Sequence, residues 1–453
     1  MSDRRHATLN RTTLETSRLL DYFTEKELTA QIGHPKRDWP LCVLKELLDN
    51  AIDACEDAGV APNITVKVDG DITVADNGPG IPPEVVAGIT DYSVRVSSRE
   101  HYVSPTRGAQ GNALKTILAM PFVLSGEQGR VEIAARGVRH AITVWVDRIR
   151  QEPVIDHQQA KDPLVKNGTL VRLHWPDPPR SILTDAKPRF LQVAGDFAFV
   201  NPHLSLTVDW CGDRHCYEAT DRNWKKWLPG RPTSPRWWTQ ENFARLIAGL
   251  LKHDADHGKQ RTVRELVAEF DGLSGSGKQK VILEATGLSR QSLSALRNGD
   301  GLDAEKIAKL LAAMKAQSKP VKPIALGLIG KDHLAARFEA VGAKMETFRY
   351  KKRLLVTDEI PQVVEYAFAW TPDADKRRLV TGVNWSPGIT NPFRELGKVG
   401  QSLDSVLMQQ RAGAGEPVVF LLHVACPRVS FTDRGKSAVV MGEARDEPED
   451  DDL

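Results

Sequence analysis

Leu44, Leu47, Leu48, Ala51, Ile52 and Cys55 return at three- and four-residue steps, the spacing of one buried stripe on an amphipathic helix. Glu46, Asn50 and Asp53 follow the same steps on a different face. Gly59 and Pro62 end the helix, and the pattern then shifts to two strands, residues 64–68 and 72–75, joined by a hairpin turn at Asp69-Gly70. Further strands are predicted at 131–135, 141–146 and 167–173. Residues 264–270 read as an amphipathic helix, and 281–296 as a helix, a turn at Gly287 and a second helix capped by Ser289. Strands at 353–357, 363–370, 378–384 and 417–425 surround a helix over 396–410.

The class is therefore α+β, with an N-terminal arm (1–40), a first domain (41–225), a connector with a helical domain (226–332), a third α+β domain (333–440) and an acidic tail (441–453). Trp224, Trp227, Trp237 and Trp238 cluster around prolines in the connector and read as packing. With 453 residues, 41% hydrophobic and 26% charged, the composition is that of a soluble globular protein. A formal net charge of +2 leaves the question of nucleic acid to local patches. Five sparse cysteines, with no apolar run of membrane-spanning length and no secretory signal, imply a cytoplasmic protein without a membrane partner.

Chemistry concentrates in three motifs. Glu46 and Asn50 point the same way from one helix, suiting a base beside an oxygen ligand for magnesium. Asp76, at a strand end and followed by Gly78 and Gly80, can accept a hydrogen bond from a flat base while the backbone turns closely around it. The run Arg107-Gly108-Ala109-Gln110-Gly111-Asn112-Ala113-Leu114-Lys115 opens an apolar helix with free backbone N–H groups, an anion site.

In this order and spacing the motifs resemble the nucleotide site of the gyrase, Hsp90, histidine kinase and MutL (GHKL) superfamily, and within it the B subunits of topoisomerase VI, from about residue 12 to 440. The resemblance implies a Bergerat-type ATPase sandwich, a helix-turn-helix-like (helix-two-turns-helix) middle domain and a transducer-like (ribosomal S5-like) third domain. It implies that Glu46 orients the attacking water, Asn50 holds Mg2+, Asp76 reads the adenine amino group of ATP with support from Thr169, and residues 108–115 wrap the phosphates. Asp49 and Arg107 fall in the same nucleotide-binding set. Ala113 stands where the family's lid has a third glycine, which implies a tighter or slower lid. Gly382-Val383-Asn384-Trp385-Ser386-Pro387 resembles a transducer loop, and Lys436 fits the family lysine that reaches the terminal phosphate.

Gly272-Leu273-Ser274-Gly275-Ser276-Gly277-Lys278-Gln279 nearly fits a phosphate loop, but Gln279 replaces the magnesium-binding hydroxyl and a helix precedes it, so it is read as a turn. Around it Arg290, Lys306 and further lysines supply positive charge for duplex DNA, the alternative being a solvated spacer. Two functions follow. One is the ATPase half of a topoisomerase VI-like complex, an ATP-dependent homodimer whose arms swap and whose partner is a DNA-cleaving A-type subunit. The other is a stand-alone GHKL switch or chaperone-like clamp, favoured by an acidic tail where the family has a long docking helix. A histidine kinase lacks support, because no separate phosphoacceptor helix module is recognisable.

Overall fold

The computed structural model describes residues 22–92, 102–107, 113–147, 149–150, 152–162, 165–177, 180–299, 301–396, 401–431 and 438–440. The expectations for the arm before residue 22, for Gly108, Ala109, Gln110, Gly111 and Asn112, for Lys436 and for the acidic tail lie outside the described residues.

Helix α1 (Glu25–Ile32) starts at Thr24, whose hydroxyl accepts from the Glu27 N–H, and stops at the left-handed Gly33. The predicted stripe lies in α2 (Trp39–Asp57), which begins five residues before Leu44 because Pro40 suits a first turn, where its missing N–H costs nothing. Trp39, Leu44, Leu48 and Ile52 are completely buried, each such side chain contributing about 1.5–3 kcal/mol. Strands β1 (Asn63–Val68) and β2 (Ile72–Ala75) form the predicted hairpin, with Gly70 at φ 92° in its turn.

After them come α3 (Pro83–Ile89), α4 (Ala113–Ser125), β3 (Gln128–Ala135), β4 (Val138–Asp147), β5 (Glu152–Lys161), β6 (Thr169–Leu173), α5 (Arg180–Asp185), α6 (Lys187–Val200), β7 (Ser205–Trp210) and β8 (Asp213–Tyr217). The strands make one sheet in the order β5-β4-β3-β6-β2-β1-β7-β8, antiparallel except for β1 with β7. Helix α2 packs on β2, α4 and α6, and Asn50, off its buried stripe, is exposed.

In the middle of the chain lie α7 (Gln240–Asp256), α8 (Val263–Ala268), α9 (Ser276–Thr286), the two-residue ladder β9 (Arg297–Asn298) and β10 (Gly301–Leu302), and α10 (Ala304–Gln317). Trp227, Trp237 and Trp238 are buried, and the Arg231 guanidinium lies 3.9 Å over the Trp227 ring, as packing predicts. The second predicted helix, after Ser289, does not form beyond a 3-10 turn at Leu293–Leu296. Its residues zip instead onto the chain before α8, with Val263 N–H donating to Gln291 and Leu293 N–H to Arg261, and Arg290 is left-handed at φ 60°. The motif is thus a helix, two turns and a helix. The phosphate-loop look-alike is a turn that runs into the start of α9, from which Lys278 donates back to the Gly272 carbonyl at 2.8 Å, and the Gln279 amide to Leu273 at 3.0 Å and Ser274 at 2.9 Å.

Beyond α11 (Lys331–Ala340), strands β11 (Arg349–Thr357), β12 (Ile360–Trp370), β13 (Arg378–Val383), β14 (Ser386–Pro387) and β15 (Val418–Ala425) form a second sheet, ordered β11-β12-β15-β13-β14. The predicted helix over 396–410 is shorter: α12 spans Leu403–Gln409, because Ser402 and Ser405 form a capping box that fixes its start and Leu396 N–H turns onto the Gln401 carbonyl. Strands β16 (Ser430–Phe431) and β17 (Val439–Val440) follow. One apolar core lies against the first sheet; a second, shared by the middle helices and the second sheet, also takes in Phe199 and Val200 from α6.

Candidate functional site

Glu46 is half-buried and Asn50 exposed on the open face of α2, and neither forms a hydrogen bond or ion pair with the described residues. Two polar side chains one turn apart, turned away from the core, are available to a ligand. At the end of β2, Asp76 Oδ1 accepts from the Gly78 N–H at 2.8 Å and the Thr169 N–H at 3.2 Å. Burial pushes the Asp76 carboxyl above its ordinary value, and the hydrogen bonds from Gly78 and Thr169 pull the other way. The Thr169 hydroxyl also accepts from the Ile81 N–H at 3.3 Å, so β6 ties down both ends of the turn.

The turn is shaped by close backbone approach. Gly168, at φ 78°, donates its N–H to the Gly78 carbonyl at 2.8 Å, and a Cβ there would overlap the carbonyl oxygen of Asp76. Gly80, at φ 78°, lies under Arg136, whose Nε donates to the carbonyls of Pro79 at 3.2 Å and Gly80 at 3.0 Å. Beneath the loop, Asn77 Oδ1 accepts from the Asn63 N–H at 2.8 Å and the Cys55 thiol at 3.3 Å. Arg136 and Asn77 are supports that no periodicity or motif singles out.

Glu46, Asn50, Asp76, Gly78, Gly80 and Thr169 are placed on α2 and on the adjoining β2 and β6 ends. Other expected residues face elsewhere. Lys115 is buried, its ammonium on the Asp91 carbonyl and 5.8 Å from the Tyr92 ring centre, while Tyr92 donates to the Lys115 carbonyl at 2.9 Å. Leu114 is half-buried in α4. Asp49 lies on the neighbouring face of α2, its Oδ2 2.6 Å from the Lys45 ammonium and accepting from the Ser386 hydroxyl at 2.7 Å.

Arg107 does not project with the glycines that follow it. It is 3% exposed and donates to Asp53 at 2.6 Å, to both Glu56 oxygens at 2.7 Å and to Asn201 at 2.5 Å. Lys226 and His203 reach the same Glu56 carboxylate at 2.9 Å and 3.0 Å. Burial opposes ionisation of Glu56, yet Arg107 and Lys226 outweigh it and hold the carboxyl well below the ordinary range. Asp53, grouped by spacing with Glu46 and Asn50, belongs to this cluster because the helix turns it inward. Arg290 and Lys306 are both exposed on the middle domain, and the Lys306 ammonium lies 3.1 Å from Asp303 and 3.3 Å from the Ala295 carbonyl.

Residues 37–179 match the family model for histidine kinase-, DNA gyrase B-, and HSP90-like ATPases. The B subunit of type 2 DNA topoisomerase 6 from Archaeoglobus fulgidus is 24% identical over 415 residues, covering 88% of this chain and 66% of that protein. The protein of the same name from Metallosphaera sedula is 23% identical over 442 residues, covering 92% of this chain and 78% of that protein. The chain therefore spans 66% of the length of the Archaeoglobus protein and 64% of that from Methanosarcina barkeri. The crystal structure of the B subunit of DNA gyrase from Myxococcus xanthus is 12% identical, covers 92% of this chain and 86% of its own, and superposes with a TM-score of 0.37, too loosely to extend the comparison. No helix of the described residues is long and apolar enough to cross a membrane. Over residues 37–179 the chain is thus similar to the histidine kinase-, DNA gyrase B- and HSP90-like ATPases.

Proposed function

We propose that the protein is an ATP-hydrolysing dimerisation switch of the topoisomerase VI B type, coupling ATP turnover to the handling of duplex DNA beside a DNA-cleaving A-type subunit. The observation that carries the nucleotide reading is the Asp76 turn: a carboxylate with one oxygen held by two backbone N–H groups, beside Gly80 and Gly168, where a Cβ would meet backbone oxygens. Such a carboxylate presents its second oxygen to the amino edge of an adenine. Asn50 would supply an oxygen ligand to Mg2+, which when bound offsets phosphate charge. Glu46, one turn earlier, would take a proton from the water that attacks the terminal phosphate. Gly108 to Asn112, with Ala113 at the start of α4, would enclose the phosphates, and Lys436 would contact the terminal one.

Support for the DNA-handling part comes from two sources. The relatives that match across most of the chain are named as B subunits of topoisomerase 6. Arg290 and Lys306 stand on the helix-two-turns-helix surface, where positive charge can meet a phosphate backbone. The deciding experiment is Glu46→Ala: it should retain binding of ATP with Mg2+ within about threefold while hydrolysis falls by about 10²-fold or more. Turnover at the parent rate would remove Glu46 as the base.

A further inference from the structure

Helix α2 and the segment Thr106-Arg107 are held by the same three residues of the third domain. Asn384 and Trp385 both have positive φ, 49° and 63°, so the β13–β14 hairpin ends in a tight turn, and Asn384, Trp385 and Ser386 each make a hydrogen bond to the first domain. Asn384 donates its amide to the Thr106 carbonyl at 3.4 Å and to the Cys426 carbonyl at 3.0 Å. The Trp385 carbonyl accepts from Arg107 Nε at 3.4 Å and from the Asn201 amide at 3.0 Å, and the Lys226 ammonium lies 4.6 Å over the Trp385 ring. The Ser386 hydroxyl donates to Asp49, and the Lys45 ammonium meets both. Behind the tip, the Trp385 N–H donates to His423 at 3.1 Å, and His423 faces the buried Glu365 at 3.7 Å.

Two consequences follow from this placement. Thr106 and Arg107 immediately precede Gly108, and Lys45, Asp49, Asp53 and Glu56 bracket Glu46 and Asn50 on α2. The contacts are buried and charged, so a small rotation of the hairpin would strand several polar groups together, and intermediate positions are disfavoured.

We propose that the Asn384-Trp385-Ser386 tip is a clamp through which the third domain positions the nucleotide site, with Ser386 and Arg107 as positioning residues that act on α2 without touching the nucleotide. The clamp is separate from any contact by Lys436, and it rests on reading Glu46, Asn50 and the Asp76 turn as the nucleotide site. Coupling of this type is reciprocal: whatever the hairpin does to the nucleotide site, a bound nucleotide does to the hairpin.

Hydrogen exchange on the full chain, with and without Mg2+ and a non-hydrolysable ATP analogue, tests it. The analogue should slow exchange at 76–81 and, in the parent, slow it about tenfold at 384–386 and 423–426. In Ser386→Ala, and in Asn384→Gly, which keeps the positive φ while removing the carboxamide, the slowing at 76–81 should persist and that at 384–386 should fall at least about fivefold, with kcat reduced and analogue affinity weakened by no more than the same factor of about ten. Slowing at 76–81 without any at 384–386 in the parent, or identical responses in parent and both variants, would reduce the hairpin to packing. Absence of slowing at 76–81 would overturn the nucleotide reading and the clamp with it.

Discussion

Asp76→Asn separates base recognition from scaffolding. The asparagine oxygen can keep the Gly78 and Thr169 N–H donors at 2.8 Å and 3.2 Å, so the turn survives and global stability should change by less than about 1 kcal/mol. What changes is the outward position, where an acceptor oxygen becomes an NH2 group facing the amino group of adenine. The loss is one hydrogen bond to a charged acceptor, about 1.5–3 kcal/mol, or about 10- to 150-fold in affinity. Titration calorimetry with ATP and with the inosine triphosphate analogue reads it out. The analogue carries a carbonyl where adenine carries the amino group, so the variant should lose affinity for ATP and gain relative affinity for the analogue. An unchanged ATP affinity, or an equal loss for both, would refute the placement of Asp76 at the base.

Other outcomes follow from the same geometry. Gly168→Ala, which forces a left-handed alanine against the Asp76 carbonyl, should lower stability by about 1–3 kcal/mol and weaken nucleotide binding about tenfold or more, read by thermal unfolding and titration. Glu56→Gln leaves Arg107 and Lys226 without their shared carboxylate and should cost about 3–5 kcal/mol in chemical denaturation near neutral pH. Because the folded-state pKa of Glu56 is depressed, its contribution in the parent is fully present above the unfolded value of about 4.3 and is lost as pH falls through the folded value; an acid limb unchanged in the variant would contradict this. Reversing charge at Arg290 and Lys306 together should weaken duplex DNA binding across all sequences and reduce the slope of log K against log salt by about 1.8. An unchanged slope, or no DNA binding by the parent at low salt, would favour a spacer role.

Helix α2 and the hairpin after it are legible in the sequence because their order is local. The three- and four-residue stripe from Leu44 to Cys55 and the alternation of Ile64, Val66 and Val68 need no distant partner to be recognised, and α2, β1 and β2 lie where those patterns put them. The alternating Leu206, Val208 and Trp210 of β7 carry the same signal, although no strand is expected there above, whereas β5, half-exposed along its length, carries none. Expectation and structure part where tertiary pairing decides: residues 289–296 hold to 261–263 by backbone hydrogen bonds rather than closing a second helix. Arg107 shows the limit most plainly. Its neighbours in sequence are Gly108 and the glycine-rich run after it, but its partners Glu56, Asn201 and Trp385 come from three distant segments. A pattern of residue types assigns a side chain to its stretch of chain, and only packing decides which way it turns.

In the proposed switch ATP, and not ADP, closes two copies of the chain. Sedimentation velocity of the parent and of Lys436→Ala, each with Mg2+ and either ADP or a non-hydrolysable ATP analogue, tests it most directly. The parent should sediment as a dimer with the analogue only and as a monomer with ADP, and Lys436→Ala should lose the analogue-induced dimer while keeping ADP affinity; a parent that sediments identically with both nucleotides would rule the switch out.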